Sequence, residues 1–199
     1  QSIEDPRVRV FSDGTNKKLA ARLNEIVDLA RYDIIVRMDA DDLMHPERIE
    51  RQLKILEDNP TVDLISTGLY SVTDDLRILG ERWHPQKTLN HKDLLFKNGC
   101  GIVHASLTGK KEWFKRNRYD ESLKLAQDYS LWLKASYNQD LKVYILQEPL
   151  YYYRESGSVT AQKALLAYKY ERKMYLRYGQ KWKVILIVKK LLLISLYIY

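Results

Sequence analysis

The apolar run Ile34-Ile35-Val36 leads straight into Asp39-Ala40-Asp41-Asp42, and Pro46 follows shortly after. A short run of β-branched residues suits a buried strand, and proline suits the first turn of a helix. The stretch therefore reads as strand, acidic loop, helix, which restricts the chain to folds in which a strand end opens onto a loop. The alternation continues on both sides. Val8-Arg9-Val10-Phe11 reads as a short strand closed by the turn signal Asp13-Gly14-Thr15-Asn16. Leu19, Leu23, Ile26, Val27 and Ala30 recur at steps of three and four, predicting a helix over 17–31 with one apolar stripe. The Ile34 strand extends to Met38, the helix opened by Pro46 turns Ile49, Leu53 and Leu56 inward, and Asn59-Pro60 stops it. Val62 to Ser66 supply a further strand. This order of strands and helices is that of an α/β sandwich.

Beyond it, Tyr70 to Trp83 reads as a hairpin or edge strands, His91 to Lys97 as a short helix, and Ile102 to Thr108 as a strand. Tyr129, Trp132, Leu133 and Ser136 share one helical face, and Val143-Tyr144-Ile145-Leu146 forms the final strand. A chain of 199 residues with 45% hydrophobic and 30% charged residues builds one sizeable domain, and this composition excludes disorder for its body. Cys100 is the lone cysteine, which excludes an internal disulfide and a cysteine zinc site and fits a reducing, cytosolic setting.

The net charge of +7 is concentrated at one end. From Ala161 onward nine Lys or Arg stand against Glu171 alone, so this stretch carries +8 and the first 160 residues about −1. A near-neutral body argues against nucleic acid. A basic tail laced with Leu, Ile and Tyr fits an anionic membrane surface, although a solvated helix with charged faces would also account for it. Trp182 to Tyr199 is apolar but slightly short for a span and interrupted by Lys183, Lys189 and Lys190, so it reads as an interfacial or peripheral membrane helix, or as the opening of a hydrophobic region cut short. The start, Gln1 to Pro6, has neither the basic opening nor the apolar core of a secretory signal.

In open α/β sheets ligands bind beyond the carboxyl ends of the strands, where Asp39, Asp41 and Asp42 fall. Carboxylates there suit a hard divalent cation; equally, they solvate a loop or favour the positive end of the following helix. Asp128 stands at a predicted helix start, which keeps a carboxylate ionised for a general base and is also an ordinary place for a capping acid. His104 lies in an apolar run and reads first as a satisfied core residue. Arg154 offers a guanidinium fork for phosphate or sugar, or a surface pair with Glu155.

Taken in order, Leu23-Asn24, Val36-Arg37-Met38-Asp39-Ala40-Asp41-Asp42, Pro46-Glu47-Arg48, Asn59-Pro60, His104 with Ser106, Gln127-Asp128-Tyr129-Ser130-Leu131-Trp132-Leu133, and Tyr153-Arg154 with Ser158 resemble the family-2 glycosyltransferases. The resemblance covers about 7–160. It implies a GT-A fold with a mostly parallel central sheet, and inverting transfer from a UDP- or GDP-sugar to a saccharide or lipid-linked acceptor. It further implies that Asp39 and Asp41 form a DXD motif for Mg²⁺ or Mn²⁺, with Asp41 the direct ligand, and that Asp128 is the base. Asn24 would touch the donor; Asp42, His104, Gln127, Trp132 and Arg154 would line the substrate site. Gln127 stands where the family often has glutamate. The family normally opens with a strand, a helix and a second acidic strand before the one matched by Val8 to Phe11, so the chain is expected to be N-terminally incomplete.

These readings divide the chain into a partial transferase domain, 1–160, and a basic helical tail, 161–199, at the cytosolic face of a membrane. Two alternatives remain at this level. One is a phosphohydrolase with Asp39 as nucleophile; the other is an inactive scaffold derived from a transferase.

Overall fold

The computed structural model describes residues 4–90, 101–155 and 161–178. In chain order the elements are α1 (Lys18–Leu29), β1 (Ile34–Val36), β2 (Leu43–Met44), α2 (Arg48–Asp58), β3 (Leu64–Val72), β4 (Ile78–Arg82) and β5 (Lys87–Asn90). There follow a 3-10 turn (His104–Ser106), β6 (Thr108–Lys110), α3 (Lys111–Arg116), α4 (Gln127–Tyr137), β7 (Lys142–Arg154) and α5 (Ala161–Arg177). The strands form one sheet in the order β1-β6-β3-β7-β2, with β4 beside β3 and β5 beside β7.

The sheet departs from the mostly parallel arrangement expected. Among the described residues only β3 and β7 pair in parallel, and the other pairings are antiparallel. β6 enters antiparallel between β1 and β3, β4 returns along β3 as a hairpin, and β2 and β5 pair antiparallel with β7. β1, β3 and β7 nevertheless run in one direction, so the loop after β1 still lies at a carboxyl end of the sheet.

Three local expectations also change. Val8 to Phe11 forms no ladder, and Val10 is 87% exposed; no described strand runs beside it to take up its backbone groups, and a strand needs such a partner. Ile102 to Thr108 is not one strand. The N–H of Val103 donates to Ser66 Oγ at 2.8 Å, and Ser106 donates through N and Oγ to the Val103 carbonyl, both at 3.1 Å, which tightens the chain into the 3-10 turn before β6 begins. The expected strand from Val143 continues to Arg154. The anticipated His91 to Lys97 helix, Cys100 and the Trp182 to Tyr199 segment lie outside the described residues.

The buried faces of the helices coincide with the apolar stripes only in part. In α1 the buried residues are Ala20, Asn24 and Val27, while Leu19 and Ile26 are exposed. In α2 they are Arg48, Gln52 and Leu56. Gln52 earns its place by hydrogen bonding: its Nε2 donates to the Ser106 carbonyl at 2.8 Å and its Oε1 accepts from Thr108 Oγ1 at 2.8 Å. The main core joins α3, α4 and the sheet around Trp113, Phe114, Leu131, Trp132, Leu133, Val143 and Ile145. Met174 and Tyr178 belong to it, so the region of α5 packs on the body of the molecule. Among the described residues no helix is long and apolar enough to cross a membrane.

Candidate active site

The acidic loop after β1 is held from β7. The Asp39 N–H donates to Tyr151 Oη at 3.1 Å, and the Tyr151 hydroxyl donates to Asp42 Oδ2 at 2.7 Å. The Arg154 N–H donates to Asp42 Oδ1 at 2.8 Å. Both oxygens of Asp42 are thereby engaged and the residue is buried. The substrate contact expected of Asp42 is replaced by a role inside the protein. Arg48, also buried, donates through Nη2 to the Arg37 carbonyl at 2.9 Å and lies with its guanidinium 5.3 Å from the Tyr151 ring centroid. Burial draws its pKa down.

A cleft of about 430 Å³ opens beside this loop, lined among others by Arg37, Asp39, Arg82, His104, Gln127 and Asp128. Asp39 Oδ1 accepts from Arg37 Nη2 at 2.6 Å. Burial pushes the Asp39 carboxyl above its usual range; Arg37 opposes the shift, and Asp42 and Asp41 add to it. The Arg37 side chain is 9% exposed, and its Nε and Nη1 have no hydrogen-bond partner among the described residues. Asp128 comes from the first turn of α4. Ala126, immediately before that helix, has φ 59°, a left-handed conformation that costs a non-glycine residue about 1–2 kcal/mol. The two residues that follow it, Gln127 and Asp128, both line the cleft. Gln127 also donates from Nε2 to the Lys124 carbonyl at 3.4 Å.

His104 forms part of the cleft wall. Its Nε2 lies 2.7 Å from Tyr119 Oη, and its ring meets Trp132 edge-on at 5.9 Å. Burial, reinforced by the Arg37 charge, pushes its pKa down to about 3, so the imidazole is neutral. Burial raises the Tyr119 phenol in turn, so that hydroxyl keeps its proton.

Several expected contacts fall elsewhere. Asn24 is buried, donating from Nδ2 to the Tyr119 carbonyl at 3.1 Å and to Glu121 at 2.8 Å, and accepting from the Tyr119 N–H at 3.0 Å. It ties α1 to the loop before α4 rather than meeting a donor. Trp132 is 1% exposed and stacks on Trp113, so it supports His104 from the core. Asp41 is exposed and is not among the residues lining the cleft. Arg154 does not line the cleft: its backbone N–H donates to Asp42 and its Nη1 to the Asp74 carbonyl, its buried Nε has no hydrogen-bond partner among the described residues, and Glu155 pairs with Arg82 instead.

The sequence reading gave no role in the site to Arg37, Arg82, Tyr151 or Tyr153. Arg37 carried a signal, a charge inside an otherwise apolar run. Arg82 carried none, because only the β3–β4 hairpin brings it to the cleft, where its guanidinium lies 5.7 Å from the Tyr153 ring.

The donor set at the acidic loop fits a hard divalent cation as a site of at most two protein carboxylates, Asp39 and Asp41. Asp42 is spent, and among the described residues no group of three or more His, Cys, Asp or Glu could hold a metal. Mg²⁺ commonly uses one or two carboxylates and takes its other oxygens from phosphate and water. Burial, which leads the rise of the Asp39 pKa, and the neighbouring Asp42 and Asp41, which add to it, both disfavour the bare carboxylate, and a bound cation would offset both.

The sequence profile of glycosyl transferase family 2 matches residues 1–118. The chain belongs to this family. The matched stretch includes the acidic loop, and Asp128 lies just beyond it. An uncharacterized glycosyltransferase of Methanocaldococcus jannaschii is 34% identical over 153 residues, covering 76% of this chain and 52% of that protein. The putative glycosyltransferase EpsE of Bacillus subtilis is 30% identical, covering 79% and 56%, and the O-antigen biosynthesis glycosyltransferase WbnJ of Escherichia coli is 31% identical, covering 82% and 63%. The chain thus spans about half the length of the first two of these relatives. Among solved structures, S. aureus TarS 1–349 in complex with UDP superposes with a TM-score of 0.56 at 16% identity, covering 82% of this chain and 53% of that one. At this identity the likeness concerns the fold, which is GT-A.

Proposed function

We propose that this chain carries the donor site and the base of an inverting glycosyltransferase that moves a sugar from a nucleoside diphosphate to an acceptor hydroxyl. The observation behind the proposal is that Asp39 and Asp128, which come from separate elements, line one cleft at a strand end. Asp128 takes the proton of the acceptor hydroxyl. The acceptor oxygen then forms its bond to the anomeric carbon from the face opposite the diphosphate, the bond to the diphosphate oxygen breaks, and the centre inverts. Asp39, with Asp41 beside it, would hold Mg²⁺ or Mn²⁺ for the donor diphosphate. The ion, when bound, acts as a Lewis acid that offsets charge on the departing group. Neutral His104 and the buried Arg37 form the wall against which the donor is oriented.

A relative named for O-antigen biosynthesis supports a saccharide or lipid-linked acceptor, and the basic stretch from Ala161 supports work at an anionic membrane surface. The phosphohydrolase alternative gives way to the family assignment. Turnover of UDP- and GDP-sugars with Mn²⁺ tests the reading. Release of nucleoside diphosphate, lost in Asp39→Ala and Asp128→Ala, is expected; turnover of simple phosphate esters with no action on sugar nucleotides would refute it.

A further inference from the structure

We infer that Tyr151 is a positioning residue for Asp39, its phenolic oxygen joining the backbone of Asp39 to the carboxylate of Asp42 and fixing how the acidic loop faces the cleft. A buried phenol needs partners for its hydroxyl. Tyr151 is fully buried and has two, both in the same loop: it accepts from the Asp39 N–H at 3.1 Å and donates to Asp42 Oδ2 at 2.7 Å. Burial raises the phenol's pKa, so it remains a donor at neutral pH. Within the loop the direct link from the Asp42 N–H to the Asp39 carbonyl is long, at 3.3 Å, which leaves the tyrosine as the better connection.

The ring itself has little freedom. Leu69 and Ala105 pack with it, and the Arg48 guanidinium lies over it at 5.3 Å. Its place on β7 is set by irregular pairing with β3. Thr67 pairs with Leu146 and Leu69 with Tyr151, so β7 spends three more residues than β3 across this point. A bulge of this kind re-aims the side chains that follow. In this account Asp42, the third acid of the run, serves as an anchor and not as a cation ligand.

The effect on donor binding rests on the function proposed above; the bridge itself does not. The test compares the full chain with Tyr151→Phe, Asp42→Asn, the double variant, and Tyr152→Phe as a control that removes a hydroxyl from the next residue. Two quantities are measured, amide hydrogen exchange at Asp39 and binding of UDP with Mn²⁺ by calorimetry. Tyr151→Phe should raise exchange at the Asp39 amide about tenfold and weaken Mn²⁺–UDP binding by about the same factor. Amides in the β3–β7 ladder should be unchanged. Asp42→Asn should act in the same direction, because the two donors face separate carboxylate oxygens and one of these becomes an NH2 group, which cannot accept. The double variant should be no worse than the weaker single, since both break one bridge. Tyr152→Phe should match the parent. Unchanged exchange at Asp39 in Tyr151→Phe, or additive losses in the double variant, would overturn the inference. If Tyr151→Phe does not fold, Asp42→Asn decides the exchange comparison. If the parent chain binds no nucleotide while exchange responds as described, the functional reading fails and the bridge stands.

Discussion

At the scale of single residues the account depends on how each environment sets a protonation state. Asp128→Asn keeps the shape of the side chain but cannot accept the acceptor's proton, so turnover should fall about 10²–10⁴-fold with donor affinity retained, as measured by steady-state kinetics and calorimetry. The Asp39 carboxyl holds its proton more tightly folded than unfolded. Its contribution to stability is therefore present at low pH and lost as pH rises through the folded value, and the same ionisation prepares the cation site. Mn²⁺ affinity should climb across a window displaced above that of an ordinary aspartate, and Asp39→Asn should abolish the climb. His104 behaves in the opposite sense. Its pKa falls from 6.5 to about 3 on folding, so the stability linked to it is complete above pH 6.5 and drains away as pH falls towards 3. Urea midpoints measured below pH 6.5 should drop less steeply in His104→Gln than in the parent. The acids were legible in the sequence because three of them follow a β-branched run. Their separate duties were not, since only the fold shows that Tyr151 and the Arg154 N–H consume Asp42.

At the scale of elements, the close approach of β3 to β7 sets where Tyr151 lies. Gly68 sits at the register shift, and a Cβ there would meet the Gln147 carbonyl oxygen at 2.6 Å. Backbone cannot yield as a flexible side chain does. Gly68→Ala should therefore destabilise the chain by about 1–3 kcal/mol in chemical denaturation and weaken Mn²⁺–UDP binding as well. The positions of α1 and α2 were readable from periodicity, which also placed Val27 and Leu56 inward, but the polar part of their buried faces was not. Asn24, Arg48 and Gln52 point inward because backbone carbonyls and N–H groups there need partners, a demand that hydrophobic patterning does not register. Val8 to Phe11 illustrates the reverse case. Its composition suits a strand, but strand structure is a property of pairs, and no described strand lies alongside.

At the scale of the whole molecule, the order of elements and the family resemblance led correctly to the GT-A fold, while the sheet's directions did not follow from that order. A short strand such as β6, three residues long, carries too little pattern to reveal that it enters antiparallel. The concentration of positive charge beyond Ala161 is likewise plain in the sequence, yet α5 is partly core, with Met174 buried beside α4. If this region also meets membranes, the chain should sediment with vesicles containing anionic phospholipid and release them as salt rises. The central claim, that Asp39 serves the donor and Asp128 the acceptor within one cleft, is tested most directly by calorimetric titration of UDP-sugar with Mn²⁺ into the parent, Asp39→Asn and Asp128→Asn. The account predicts that binding is lost in Asp39→Asn and kept in Asp128→Asn; equal retention in both, or loss confined to Asp128→Asn, would contradict it.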